Sequence, residues 1–316
     1  MDCLPIEILC KILGEHVESV DAVACRRVSC LWRSIVERRS SRKRRQTDYA
    51  AKLAADGHLE VLKWARANGC PWDKSTCTNA AYGGHLGVLV WARENGCPWD
   101  ERTCSGAAER GHLDILWWAR GNGCPWDENT CTSAARGGHL DLLRWARENG
   151  CPLNPWACNS TAEGGHLEVL KWLRANGCPW NTWVCAAAAR GGHLEVLEWL
   201  RANGCPWDEW TCANAARGGR LEVLKWVREN GCPWDQTTCS HAAHSGHLEV
   251  IRWARENGCG WDYRTCAWAA ERGHLEVLKW AVANGCPCDW QRVIREARAR
   301  NYFDIVEWAN ASGCPE

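Results

Sequence analysis

The chain has 316 residues, 38 of them basic and 38 acidic, so it carries no net charge with histidine neutral. That argues against a strongly basic nucleic-acid binder and an acidic disordered tail, while 46% apolar and 24% charged residues suit a folded globular chain. Twenty-four Trp and 23 Cys beside a single Phe are too skewed for one ordinary core and point to copying of one unit.

The first segment, MDCLPIEILCKILGEH, has acids at Asp2 and Glu7 and no basic leader region, so it does not read as a secretory signal. No apolar run approaches the length of a membrane span. Both observations imply an intracellular protein with mostly reduced cysteines, and an odd cysteine count weighs against a complete disulfide framework. Leu4, Pro5, Ile8, Leu9, Ile12 and Leu13 give an amphipathic helix with proline near its start, and Arg27–Ile35 is a second apolar-periodic stretch containing Val28 and Trp32. The pattern L-P-x-E-I-L-x-x-I-L, then Asp21, then Arg27-Val28 through Trp32-Arg33-x-Ile35, closely resembles an F-box. Its Val-Cys-Trp spacing is slightly off the usual one. The resemblance implies a domain over residues 1–40 that docks on a Skp1-like adaptor of cullin-based ubiquitin ligases. Leu4, Pro5, Ile8, Leu9, Ile12, Leu13, Val28 and Trp32 would carry that contact.

Next comes Arg38-Arg39-Ser40-Ser41-Arg42-Lys43-Arg44-Arg45. It reads either as a nuclear import signal or anionic-surface patch, or as a solvated helix end followed by a basic linker over 41–46. Localisation is therefore open between cytoplasm and nucleus, in a host cell if the viral resemblance below holds.

From residue 47 to 316 the chain is a tandem array. Trp64, Trp91, Trp118, Trp145, Trp172, Trp199, Trp226, Trp253 and Trp280 recur at intervals of 27, and a degenerate last copy places Trp308 after 28. With the half-unit DYAAKLAADG at the start, this makes about ten units. Each reads G-H-L-E-V-L-K-W-A-R-x-N-G-C-P-W-D-x-x-T-C-x-x-A-A-x-G. Asp73 and its equivalents are good N-caps, and Gly83 supplies a stop. Leu59, Val61, Leu62, Trp64 and Ala65 share one face at helical period; Gly69 ends that helix and Pro71 forbids its continuation. Each unit is thus two short antiparallel helices that must stack on their neighbours to bury an apolar face. The fold class is all-α, a small helical module followed by an α-solenoid.

GHLEVLKWARANGC, C-P-W-D and T-C-x-x-A-A resemble the ankyrin repeat, in which a second helix, a turn and T-P-L-H-x-A-A follow in that order. An ankyrin unit has 33 residues. The shortfall falls between Asp73 and Thr76, where the family carries its projecting hairpin, so these units are expected to lack hairpin fingers. An F-box followed by tryptophan-rich short repeats resembles large families encoded by giant amoeba-infecting viruses, of pandoravirus-like type.

The recurring residues read mainly as structure. Cys70 and Cys77 are seven apart, unlike a zinc knuckle, and by the resemblance sit where ankyrin repeats place an alanine and a core leucine. The histidine column, His58 to His274 with Arg220 replacing it once, follows glycine and is expected to tie a turn to its neighbour's backbone. The Trp64 column reads as core, the Trp72 column as turn packing, and the Arg66 and Glu60 columns as a salt-bridged outer face. No catalytic residue, metal or cofactor is expected.

Varied positions are freer to recognise a partner. The second residue after the first-helix N-cap is Trp156, Trp183 and Trp210 in three consecutive units, with Trp268 one turn further along a later helix, near Tyr263. These five residues form the expected substrate-binding strip: the rings of Trp156, Trp183 and Trp210 stand clear over roughly 20 Å at helix spacings of about 10 Å, with Trp268 and Tyr263 on the flank. Packing between neighbouring helices is the competing reading. The resulting expectation is a non-enzymatic, monomeric adaptor: the F-box recruits the Skp1 and cullin complex, and the repeats hold a target protein. The alternatives are a non-ligase scaffold or decoy and, less favoured, a nuclear or nucleic-acid-associated repeat protein. No membrane partner is expected.

Overall fold

The computed structural model describes residues 44–154 and 156–312, which hold twenty α-helices and no strand. In chain order these are α1 Arg44–Ala55, α2 Leu59–Ala67, α3 Lys74–Tyr82, α4 Leu86–Glu94, α5 Glu101–Arg110, α6 Leu113–Gly121, α7 Glu128–Arg136, α8 Leu140–Glu148, α9 Ala157–Gly164 and α10 Leu167–Ala175. They continue as α11 Thr182–Gly191, α12 Leu194–Ala202, α13 Glu209–Arg217, α14 Leu221–Glu229, α15 Gln236–Ser245, α16 Leu248–Glu256, α17 Tyr263–Glu271, α18 Leu275–Ala283, α19 Trp290–Ala299 and α20 Phe303–Ala311. From α3 to α17 the odd-numbered helices carry D-x-x-T-C or its variants. The even ones carry L-E-V-L-K-W. The F-box expectation lies outside the described residues. Helix α1 already takes in Arg44–Gln46, which the sequence assigned to the linker; arginine and glutamine are good helix formers and extend it backwards.

Two compact units make up the described chain. One ends at Ala134 and takes in Asp141–Pro152; the other comprises Ala135–Leu140 and the residues from Leu153 on. In the first, α1, α3 and α5 lie side by side and α2, α4 and α6 pack on them. In the second, α9, α11, α13, α15, α17 and α19 form the same kind of row, each packed against its following even-numbered helix. The fold is an all-α solenoid of helix pairs, and with no strand among the described residues the projecting hairpin is absent.

Local chemistry sets each boundary. The Asp73 carboxylate accepts the Ser75 amide at 2.9 Å and caps α3, and Asp100, Asn181, Asp208, Asp235 and Asp262 do the same for their helices. Helix α2 closes on Gly69 at φ 79°, with the Cys70 amide donating to the Ala65 carbonyl at 2.9 Å. The core is small and uniform: Leu62, Ala65, Cys70, Cys77, Ala80 and Ala81 are buried. All eighteen described cysteines are free thiols. Contact with the Cys97 sulfur, then burial, pushes the Cys77 thiol far above its ordinary range.

The histidines do what their spacing suggests. His85 Nε2 lies 3.0 Å from the Ala55 carbonyl oxygen, and His193 Nε2 lies 2.9 Å from that of Glu163. Each ring lies on the glycine of the preceding unit. A Cβ on Gly57, at φ 77°, would sit 2.6 Å from the His85 ring, so a side chain there fails on conformation and on space. Arg220 replaces histidine without loss of the joint, since its Nε donates to the Arg190 carbonyl at 3.3 Å.

Two columns depart from expectation. Trp91, Trp118, Trp199 and their equivalents are half-buried rather than core. Trp91, Trp118, Trp145, Trp199, Trp226, Trp253 and Trp280 each meet the turn tryptophan of the preceding unit edge-on, as in Trp72–Trp91 at 5.6 Å between ring centres. The Arg66 column is not part of a salt-bridged face. Arg66 lies over Trp72 at 4.0 Å and donates to the Cys70 carbonyl, so each turn ring is held between an arginine and the next unit's tryptophan. The acids pair instead within their own helix, Glu60 with Lys63 at 2.7 Å and Glu168 with Lys171 at 2.6 Å.

Candidate functional site

Residues at the second and sixth positions after each N-cap leave the first-helix surface on the side away from the buried cysteine. In the unit that starts at Leu153, this surface carries large rings. The Asn154, Asn181 and Asp208 side chains accept the amides of Trp156, Trp183 and Trp210 at 2.8, 3.0 and 3.1 Å. Capping thus fixes the backbones of Trp183 and Trp210 in the first turn of their helices, while Trp156 immediately precedes α9. Trp156 is 57% exposed, Trp183 46% and Trp210 36%.

The rings do not stand clear of one another. Trp183 and Trp210 lean together with centres 5.7 Å apart, far closer than the expected helix spacing. Trp210 meets His241 edge-on at 5.6 Å; His241 meets Trp268 at 5.1 Å, and Trp268 meets His244 at 5.9 Å. The ridge therefore shifts by one helical turn between α13 and α15, from the second position to the sixth. Trp156 is exposed with no ring partner among the described residues. Tyr263, 43% exposed, lies under the Arg292 guanidinium at 5.6 Å and makes no ring contact with the ridge among the described residues. His241 and His244 were missed by the sequence reading, which tracked one column. Their signal was a pair of rings one turn apart, in the unit between Trp210 and Trp268.

Burial, then the nearby guanidinium groups, makes both histidines harder to protonate. For His241 the cations are Arg217 and Arg264, against a hydrogen bond with the Thr237 carbonyl that favours the proton; for His244 they are Arg272 and Arg217. Arg272 Nε donates to His244 Nε2 at 2.9 Å, which requires that nitrogen to be unprotonated. On the rim, Arg190 pairs with Glu163 at 3.4 Å and Arg264 with Asp262 at 2.8 Å. Arg217 is exposed and has no ion-pair partner among the described residues.

Leu4, Pro5, Ile8, Leu9, Ile12, Leu13, Val28 and Trp32 lie outside the described residues. Among the described residues no cluster of three or more His, Cys, Asp or Glu side chains could hold a metal ion, and no helix is long and apolar enough to cross a membrane.

Stacked helix pairs with an invariant joint and a varied, ring-bearing face define a helical repeat protein. A family model for ankyrin repeats in many copies matches residues 156–201 and 184–228, so the ridge from Trp156 to Trp210 lies within ankyrin repeats, a protein–protein interaction domain. Among solved structures, the chain is similar to the human ASB11 ankyrin repeat domain, at 20% identity over 50% of this chain and 84% of that one, with a TM-score of 0.39. No curated protein matches the chain.

Proposed function

We propose that the chain is a non-catalytic adaptor. Its repeats hold a target protein on the ridge of Trp156, Trp183, Trp210 and Trp268, flanked by Tyr263, and its F-box-like segment recruits a Skp1-like adaptor and cullin ubiquitin ligase. The observation that carries the first half is the exposure of three tryptophans on one face, which array packing does not require: Ser75, Asn129 and Thr237 hold the equivalent position elsewhere. Exposed tryptophan is the residue type that dominates binding energy at protein interfaces. A target segment with apolar side chains and an acid to meet Arg217 would suit this face. The second half rests on the resemblance of Leu4 to Ile35 to an F-box.

Two variants test the halves separately. Trp156→Asn, Trp183→Thr and Trp210→Ser together should weaken target binding at least 100-fold while costing only about 1–2 kcal/mol of stability, the worth of the lost ring pairs. A loss of several kcal/mol, with binding unchanged once refolded, would assign the rings to packing. Ile8→Asp with Leu9→Asp should abolish Skp1 co-purification and leave helicity intact; retained Skp1 would refute the ligase role and leave a scaffold.

A further inference from the structure

The even-numbered helices carry a recurrent charge pattern with several breaks. Glu60–Lys63, Glu168–Lys171, Glu222–Lys225 and Glu276–Lys279 are ion pairs at 2.6–3.0 Å, each an acid and a lysine three residues apart. Arg252 holds the lysine position in α16 and lies 5.8 Å over Trp280, the helix tryptophan of the following unit. A cation from one unit thus faces the tryptophan of the next.

In α4, α6, α12 and α20 this pattern fails; α12 and α20 place Glu198 and Glu307 at the lysine position, whereas α6 places an indole there. Gly87 and Val90 stand where α2 has Glu60 and Lys63, and Asp114 and Trp117 follow in α6. Asp114 therefore keeps the acid but has lost its cation, and it has no ion-pair partner among the described residues. Trp118 and Trp145 keep the rings but are preceded by Val90 and Trp117 instead of a basic residue. Trp117 is 65% exposed and Leu113 38%. Leu86, Leu113, Asp114, Trp117, Trp118 and Trp145 line one open cleft of about 480 Å³.

We infer that this cleft binds an arginine side chain presented by a partner, its guanidinium against the tryptophan faces and Asp114, with a neighbouring apolar residue on Leu86 and Leu113. Charge complementarity argues for a cation: Asp114 and the rings of Trp118 and Trp145 meet no positive group among the residues that line the cleft, whereas Glu168 takes one from Lys171 and Trp280 one from Arg252. The near-absence of polar groups argues for guanidinium over ammonium, because guanidinium is the more weakly hydrated ion and stacks on aromatic planes. The same molecule uses arginine on tryptophan in its turns, at 3.9 Å for Arg93 over Trp99 and 4.1 Å for Arg120 over Trp126. The cleft is lined by even-numbered helices and the ridge by odd-numbered ones, and occupancy of the cleft does not depend on the ridge's role.

The test uses the full chain and the peptide acetyl-Leu-Arg-Leu-amide, with its citrulline counterpart as the neutral isostere, followed by saturation-transfer NMR. The arginine peptide should bind at least tenfold more tightly than the citrulline peptide. Trp117→Lys, which restores the residue type of other units and gives Asp114 an internal partner, should remove binding without lowering the melting temperature. The ridge variant Trp183→Thr with Trp210→Ser should bind the peptide as the parent does. Equal affinity for the citrulline peptide would reduce the cleft to an apolar groove and overturn the inference. So would unchanged binding by Trp117→Lys, or preference for a trimethyllysine peptide over the arginine one.

Discussion

Threonines at the third helical position hold a cost that the array repeats. Thr76, Thr103, Thr130, Thr211, Thr238 and Thr265 are buried, and their hydroxyls lack a hydrogen-bond partner among the described residues. Burial of an unpaired hydroxyl is unfavourable by about 1–3 kcal/mol, whereas valine has the same shape without the polar group. Val184 already occupies the position in α11 and is buried. Thr130→Val and Thr211→Val should therefore leave the melting temperature unchanged or raise it by a few degrees, as followed by circular dichroism. A clear fall would mean that the hydroxyls are satisfied in solution by the neighbouring thiols. The sequence made the caps legible at this scale, because Asp73 and Ser75 are only two residues apart in the chain. It did not show that Arg66 leaves the charged face for Trp72, because that choice depends on how the Gly69–Pro71 turn folds back.

Between elements, contacts lie one period apart, and there the helical wheel is silent. Trp91 looks like core because it shares a face with Leu89 and Ala92, yet it ends half-buried against Trp72, which belongs to the preceding unit. The ridge follows the same rule. Reading down one column found Trp183 and Trp210, but their continuation runs through His241, one turn along the next helix. The ridge also acquires a pH dependence. His241 and His244 have folded pKa values below the ordinary histidine value of about 6.5, so the unfolded chain binds their protons more readily. Their contribution to stability is present above that value and is lost as pH falls through it. His166 and His247, also shifted down mainly by burial, act in the same direction. Melting temperature should fall as pH drops below about 6.5, and His241→Gln should flatten that fall. A profile unchanged by the substitution would remove His241 from its origin.

Over the whole molecule, the last described helix pair differs from the internal ones. Helix α19 buries only Val293 and Ala297, whereas α13 buries Thr211, Cys212, Ala213, Ala215 and Ala216; Arg295, Arg298 and Arg300 of the last unit are exposed. That is the composition of a cap, and linear arrays depend on capped ends for solubility. Deleting residues 289–316 should lower both solubility and melting temperature more than deleting one internal 27-residue period, read by light scattering and calorimetry. Equal effects would refute the cap. The solenoid was legible in the sequence because a period can be counted without knowing any contact. The face that binds was only partly legible, because exposure depends on neighbours the period does not identify. The histidine–glycine joint carries a further consequence for descent. Each joint needs only a glycine from one unit and a ring or guanidinium from the next, and every unit supplies both parts. Unequal crossing-over in phase with the period would lengthen or shorten the array while leaving every surviving joint intact. The tryptophans of the ridge and the broken charge pair at Asp114 could then be shuffled as cassettes, giving new arrangements of binding positions without first relearning how to fold.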